Sequence, residues 1–312
     1  DQAESFSSKG WTKIKKKETA YLLDTFGNTY RVAYSLKELN KETRALDLSE
    51  QRLSVIPNEV FQHKNLQVLI LHQNRIGSLP EQIGDLNNLT VLDLDSNPLS
   101  ILPEQIGDLK NLRILDLRFN HLGILPMQIG DLENLTILDL DHNQLVFLPM
   151  QIGNLTKLTT LDLGHNPELN VEQVLHQIRG LKSLTTLGLS YNQLTALPDQ
   201  IGNLTNLKNL DLSNNRALNV EIIIHQIGSL KKLTNLDLSS NQLTELPDQI
   251  GNLTNLTNLN LRFNQLTALP AQIGNLTNLT TLNLWGNYLT TLPTQIGNLT
   301  NLTTLNLSAN HL

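Results

Sequence analysis

Four aspartates recur at one interval: Asp93, Asp116, Asp139 and Asp162, each 23 residues from the next. Carboxylates at fixed spacing suggest acid–base chemistry or the capture of a cation. Each sits inside a Leu-Asp-Leu triplet, so the alternation of a short strand aims it away from the leucine side. Stacked one strand apart, the four form a ladder with steps of about 4.8 Å. Like charges abreast repel, so the ladder needs a compensating cation or a basic partner. A regular ladder on an open sheet lacks the cleft and positioned acid of a catalytic pair. We expect no catalytic residues.

The side chains just after these triplets vary, and they are large. Arg118-Phe119, Asp141-His142, His165 and Tyr191 follow in successive repeats beside Arg113, and Arg262-Phe263 and Trp285 with Tyr288 come later. Aromatics flanked by arginine are what interface hot spots are enriched in. The candidate protein-contact set is therefore Arg113, Asp116, Arg118, Phe119, Asp139, Asp141, His142, Asp162, His165, Tyr191, Arg262, Phe263 and Trp285. The competing reading is that these side chains pack on one another and stiffen a rim. His142 and His165, near Asp139 and Asp162, have donor types that suit zinc or copper. They read better as polar rim residues, and no resident metal or cofactor is expected. Phosphate loops and nucleophile motifs are absent from the sequence, and the Asn-x-Thr triplets recur only because the repeat does.

What positions these residues is a pattern, L-x-x-L-x-L-x-x-N, with its asparagine at Asn74, Asn97, Asn120, Asn143, Asn166, Asn192, Asn215, Asn241, Asn264, Asn287 and Asn310. Gln51 holds the place in a weaker first copy, making twelve coils spaced by 23 residues except for two steps of 26. A period in this range means stacked units, each contacting mainly its neighbours. In one coil Leu112, Leu115, Leu117, Leu122, Leu125, Ile129 and Leu132 face the core, and one strand per coil predicts a parallel sheet. Asn120 can donate to and accept from backbone groups the turn would leave unpaired. Leu125-Pro126 starts the return segment, and Gly130 is expected to allow a tight bend. The two 26-residue coils lack Leu-Pro. They offer Asn170 and Asn219 as caps for helical runs, with His176 and His225 as exposed positions on the helix side.

Composition removes several function classes. The net charge is −6, without the basic face that nucleic acid demands. No apolar run approaches the roughly 20 residues of a membrane-spanning helix. Cysteine is absent, which rules out disulfides and thiolate metal sites. Residues 1–28 read as a tail whose Lys13, Lys15, Lys16 and Lys17 form a solvated end or a basic arm. Residues 29–42 read as a cap, with Tyr30 to Leu39 a short amphipathic helix over the open end of the stack. Residues 43–312 are the repeat domain. The last coil offers no polar cap, so either the native chain continues or this end pairs with another molecule, for instance as a homodimer.

These residues resemble the leucine-rich repeat family, in its 23-residue class, as in Leu246-Pro247-Asp248-Gln249-Ile250-Gly251-Asn252-Leu253-Thr254-Asn255-Leu256. The match covers about 270 residues. It is similar to secreted or surface repeat proteins of spirochaetes, whereas plant receptor repeats carry Gly-x-Ile-Pro in place of Leu-Pro. The resemblance implies an α/β fold: a curved, right-handed solenoid with its sheet on the concave face and short helices or 3-10 turns on the convex face. It implies a non-enzymatic module that binds another protein by the concave face. We expect a secreted or surface bacterial protein meeting a host or cell-surface protein. The alternatives are a cytoplasmic scaffold or regulatory subunit for a phosphatase or GTPase, and an accessory module of a longer enzyme.

Overall fold

Leu-x-Leu triplets become strands here because alternation buries both leucines on one side of each coil. The computed structural model describes residues 11–16 and 19–312, with side chains for Trp11, Thr12 and from Tyr21 onward. The basic run Lys13, Lys15, Lys16 and Lys17 lies outside the described side chains. The chain divides into two units, Asp1–Leu161 and Asp162–Leu312.

The first unit opens on β1 (Trp11–Lys16), β2 (Thr19–Asp24) and β3 (Thr29–Ala33). β1 and β2 are antiparallel, as are β2 and β3, and β3 runs parallel to β4 (Ala45–Asp47). The expected cap helix is not there. Residues 29–33 are strand, and only Leu36–Glu38 forms a 3-10 turn. Tyr30 and Val32 are buried on alternate positions, a period of two that outweighs the helical spacing of Val32, Leu36 and Leu39. The turn before β3 carries Gly27 at φ +86°, and Asp24 Oδ1 accepts from the Phe26 and Asn28 amides. That is hairpin chemistry within residues first read as tail.

β5 (Val68–Ile70), β6 (Val91–Asp93), β7 (Ile114–Asp116) and β8 (Ile137–Asp139) continue the parallel ladder from β4, leucine against leucine in register. β9 (Thr160–Asp162) lies at the junction of the units. In the second unit β10 (Thr186–Gly188), β11 (Asn209–Asp211), β12 (Asn235–Asp237), β13 (Asn258–Asn260), β14 (Thr281–Asn283) and β15 (Thr304–Asn306) pair in the same way. Each 23-residue coil from Glu81 on returns through a five-residue 3-10 turn entered from proline, as at Met127–Asp131 after Pro126. The 26-residue coils instead hold α1 (Val171–Ile178) and α2 (Val220–Ile227), capped by Asn170 and Asn219 as expected. His176 and His225 are exposed on them.

The asparagine at each turn ties two coils together. Asn120 Nδ2 donates to the carbonyls of Leu94, Leu117 and Arg118, while its Oδ1 accepts from the Leu99 amide at 3.0 Å. Gly107, Gly130, Gly251 and Gly274 serve closeness and not bending, since a Cβ at each would meet the backbone carbonyl of the next coil. Among the described residues the glycines with positive φ are Gly27 and Gly286, and Gly130 is not one of them. A Cβ there would run into the backbone carbonyl of Gln151 in the next coil.

Candidate functional site

The open face of the sheet, opposite the leucines, differs between the two units. In the first, one strand position carries Ala45, Val68, Val91 and Ile114, all buried. They form one apolar cluster with Trp11, Leu22, Tyr30, Val32 and Ile70. Residues of the N-terminal strands therefore cover this part of the face, a feature that sequence reasoning missed. Its signal was present: the same position turns polar at Thr186, Asn209 and Asn235. Arg113 precedes β7 at the end opposite Phe119, and its guanidinium stands 4.7 Å over the Phe26 ring. It belongs with the hairpin turn and not with the rim. A groove of about 950 Å³ here is lined by Asp24, Tyr30, Arg31, Arg44, Thr90 and Arg113, among others. Burial is the main cause that raises the Tyr30 phenol pKa.

The carboxylate ladder of this unit is buried, not hydrated: Asp93, Asp116 and Asp139 are 0%, 1% and 6% exposed. The compensating cation comes from the chain itself. Arg118 meets Asp116 at 2.7 Å, Asp139 at 3.2 Å and Asp95 at 3.9 Å. Burial works to lower the Arg118 pKa. The hydrogen bond and charge of Asp116, with Asp139 and Asp95 behind it, more than reverse this and hold it above the usual arginine value. Arg118, Asp116 and Asp139 thus form an internal clamp across coils. Removing the arginine strands carboxylates that are screened from water. Arg118→Met should cost about 2 kcal/mol, less than a deep pair because the guanidinium keeps some solvent contact. Urea unfolding measures it, and a midpoint equal to that of the unchanged chain would show the clamp to be dispensable.

The large side chains at the end of each strand share one backbone state. Phe119, His142, His165, Tyr191 and Phe263 all have φ between 50° and 55°. An L-residue held there costs about 1–2 kcal/mol, so the turn itself imposes it. The amides are spoken for: Phe119 donates to Asp141 O, His165 to Ser190 O, Tyr191 to Ser213 O and Phe263 to Trp285 O. The rings are therefore fixed on rigid backbone. The rings pack on one another, as the competing reading expects. Phe119 stacks on His142 with centroids 4.1 Å apart, His165 on Tyr191 at 3.9 Å, and Phe263 tilts against Trp285 at 4.3 Å. Phe119, Tyr191 and Phe263 nonetheless stay 48%, 44% and 46% exposed. Asp141 Oδ2 lies 2.6 Å from His142 Nδ1 and orients that ring. Arg262 is exposed, with its guanidinium 5.9 Å from the Phe263 ring. Gly286 leaves the space that the Phe263 ring fills.

In the second unit the open face is polar. A groove of about 490 Å³ runs over Asp162, Gly188, Asp211, Asp237, Asn260 and Asn283, with no lysine, arginine or histidine in its lining. Its floor carries an amide row: Asn258 donates to Asn235, Asn235 to Asn209, and Asn209 to Thr186 Oγ1. The Asp162 carboxylate occupies the side-chain space that Gly188 leaves empty. Among the described residues no helix is long and apolar enough to cross a membrane.

Comparison with known proteins gives a consistent picture. The model described as a leucine-rich repeat region matches residues 92–187 and 217–311, and related repeat models match 41–99 and 182–225. No curated protein matches the sequence. Among solved structures, a leucine-rich repeat protein of Leptospira interrogans is 37% identical, covers 87% of this chain over 79% of its own, and superposes with a TM-score of 0.61. An internalin of Listeria monocytogenes is 25% identical, with 85% and 80% covered and a TM-score of 0.62. The ectodomain of the Arabidopsis receptor kinase HAESA, solved with a peptide hormone ligand, is 32% identical, with 86% and 46% covered and a TM-score of 0.67.

Proposed function

Starting from the fact that the chain belongs to the leucine-rich repeat family, we propose that it is a non-enzymatic protein-binding module of a bacterial secreted or surface protein. The family's fold supports protein–protein interaction as the general role. The finer reading, a host or cell-surface protein as partner, draws on the likeness to the Leptospira protein and the internalin. The observation that carries it is the set of ring pairs held on strained, hydrogen-bonded turns with about half of the surface of Phe119, Tyr191 and Phe263 open. Rigid aromatic anchors lose little entropy on binding, which is why they dominate interface energetics. In this reading Phe119, His142, His165, Tyr191, Arg262, Phe263 and Trp285 touch the partner, with Asp141 orienting His142. Arg118, Asp116 and Asp139 support the rim from beneath. The groove over Asp162 gives the second unit a polar surface of its own.

The test is a pull-down with mass spectrometry, comparing the unchanged chain with Phe119→Ala/Tyr191→Ala. Loss of two anchors should reduce partner recovery at least about tenfold. Equal recovery with an unchanged circular dichroism spectrum would reject the rim as the binding site. Cell fractionation tests the compartment separately, and a purely cytoplasmic protein would contradict the surface assignment.

A further inference from the structure

One flank of the first unit carries an apolar surface that no part of the rim uses. Ile101, Ile124, Val146, Phe147, Met127 and Met150 are all large, apolar and 44–73% exposed. They fall in three consecutive coils. Ile101, Ile124 and Phe147 hold the same repeat position before Leu-Pro, and Met127 and Met150 the position after it. The coils that carry them are stacked in space: His121 N–H donates to Leu99 O, Val146 N–H to Gly123 O, and Gln151 Nε2 reaches Met127 Sδ. In other coils the first position holds Val55, Ser78, Ala196, Glu245, Ala268 and Thr291. The leucine core does not require apolar residues there. Exposed contiguous apolar surface of this size marks an interaction site.

We propose that this flank pairs with the same flank of a second copy of the chain. Area is the first argument. Half-exposed side chains of this size present roughly 100 Å² apiece, so two patches would bury on the order of 1,200 Å², the lower end of the range for stable interfaces. Shape is the second. Val146, Phe147 and Met150 make one end thick, while Ile101 stands alone at the other, with Glu104 in the methionine position. A two-fold axis through the middle coil sets the thick end against the thin one and Ile124 against Ile124, as an isologous interface demands. Charge is the third. Copies with a net charge of −6 repel, and the six apolar side chains keep the centre of the contact free of charge, with Glu104 at its edge.

The chain has no cysteine, which makes the test clean. Ile124→Cys should cross-link to a covalent dimer under mild oxidation, whereas Thr291→Cys, at the same repeat position elsewhere, should not. Sedimentation of the unchanged chain should give twice the monomer mass. Phe147→Asp/Met150→Glu should weaken that association at least about 30-fold, with an unaltered circular dichroism spectrum. A monomer at every concentration would overturn the proposal. So would an association indifferent to the two acidic substitutions, or cross-linking of Thr291→Cys as efficient as that of Ile124→Cys.

Discussion

Asn120→Ala is expected to destabilise the first unit by about 3–4 kcal/mol. The substitution removes the three donations of Nδ2 to the Leu94, Leu117 and Arg118 carbonyls and the acceptor for the Leu99 amide. Asn120 is 3% exposed, so water does not take over these groups without prying the coils apart. A buried polar group left unpaired costs about 1–3 kcal/mol, and here several share the loss. The control is Asn111→Ala. Asn111 also bridges coils, donating to Asn87 O at 2.9 Å, but it is exposed. Solvent replaces that bond, so its loss should stay within about 0.5 kcal/mol. Two tryptophans help the measurement, because Trp11 reports the first unit and Trp285 the second. The units of a repeat chain need not unfold together, so each probe should be followed in urea on its own. Equal midpoints for Asn120→Ala and Asn111→Ala would refute the view that burial decides the worth of these amides.

The second large effect is expected at Gly130. Its added Cβ meets the Gln151 carbonyl and Gln151 Cβ, atoms of the neighbouring coil's backbone and its root, which have no rotamer to retreat into. Overpacking of this kind costs about 1–3 kcal/mol, and the immovable partner places Gly130→Ala at the upper end. Gly77→Ala is the matched comparison. Nothing lies within 4 Å of a Cβ there and its φ is not positive, so the change should be neutral or stabilise by about 0.4–1 kcal/mol through the unfolded chain. Thermal melting of both variants decides it. If Gly130→Ala melted with Gly77→Ala, the close approach of coils would not be what Gly130 serves.

These expectations also show how much was legible beforehand. Strand position, the leucine core, the asparagine turns and the two capped helices all follow from a pattern that repeats in phase, and each was readable from one coil. The tight-bend role of Gly130 was misread because a glycine records permission for close approach and for positive φ alike. The cap was misread because three apolar residues at helical spacing outweighed a Phe-Gly-Asn turn and the alternation beginning at Tyr30. Arg113 was grouped with Arg118 by nearness in sequence, although a strand of three residues separates their ends. The flank at Ile101, Ile124 and Phe147 is not legible from the strand positions, because it lies at places in the return part of the coil where the repeat fixes no residue type.

The sequence by itself determined the coil, its core and the rim positions, because burial within one repeat depends on residues a few places apart. Only the tertiary structure decided which surfaces are open. Trp11 and Leu22 cover strand residues as far along as Ile114, and Arg118 reaches carboxylates at Asp95 and Asp139. Such contacts join segments tens of residues apart, and a local periodicity carries no information about what a distant segment will lie against.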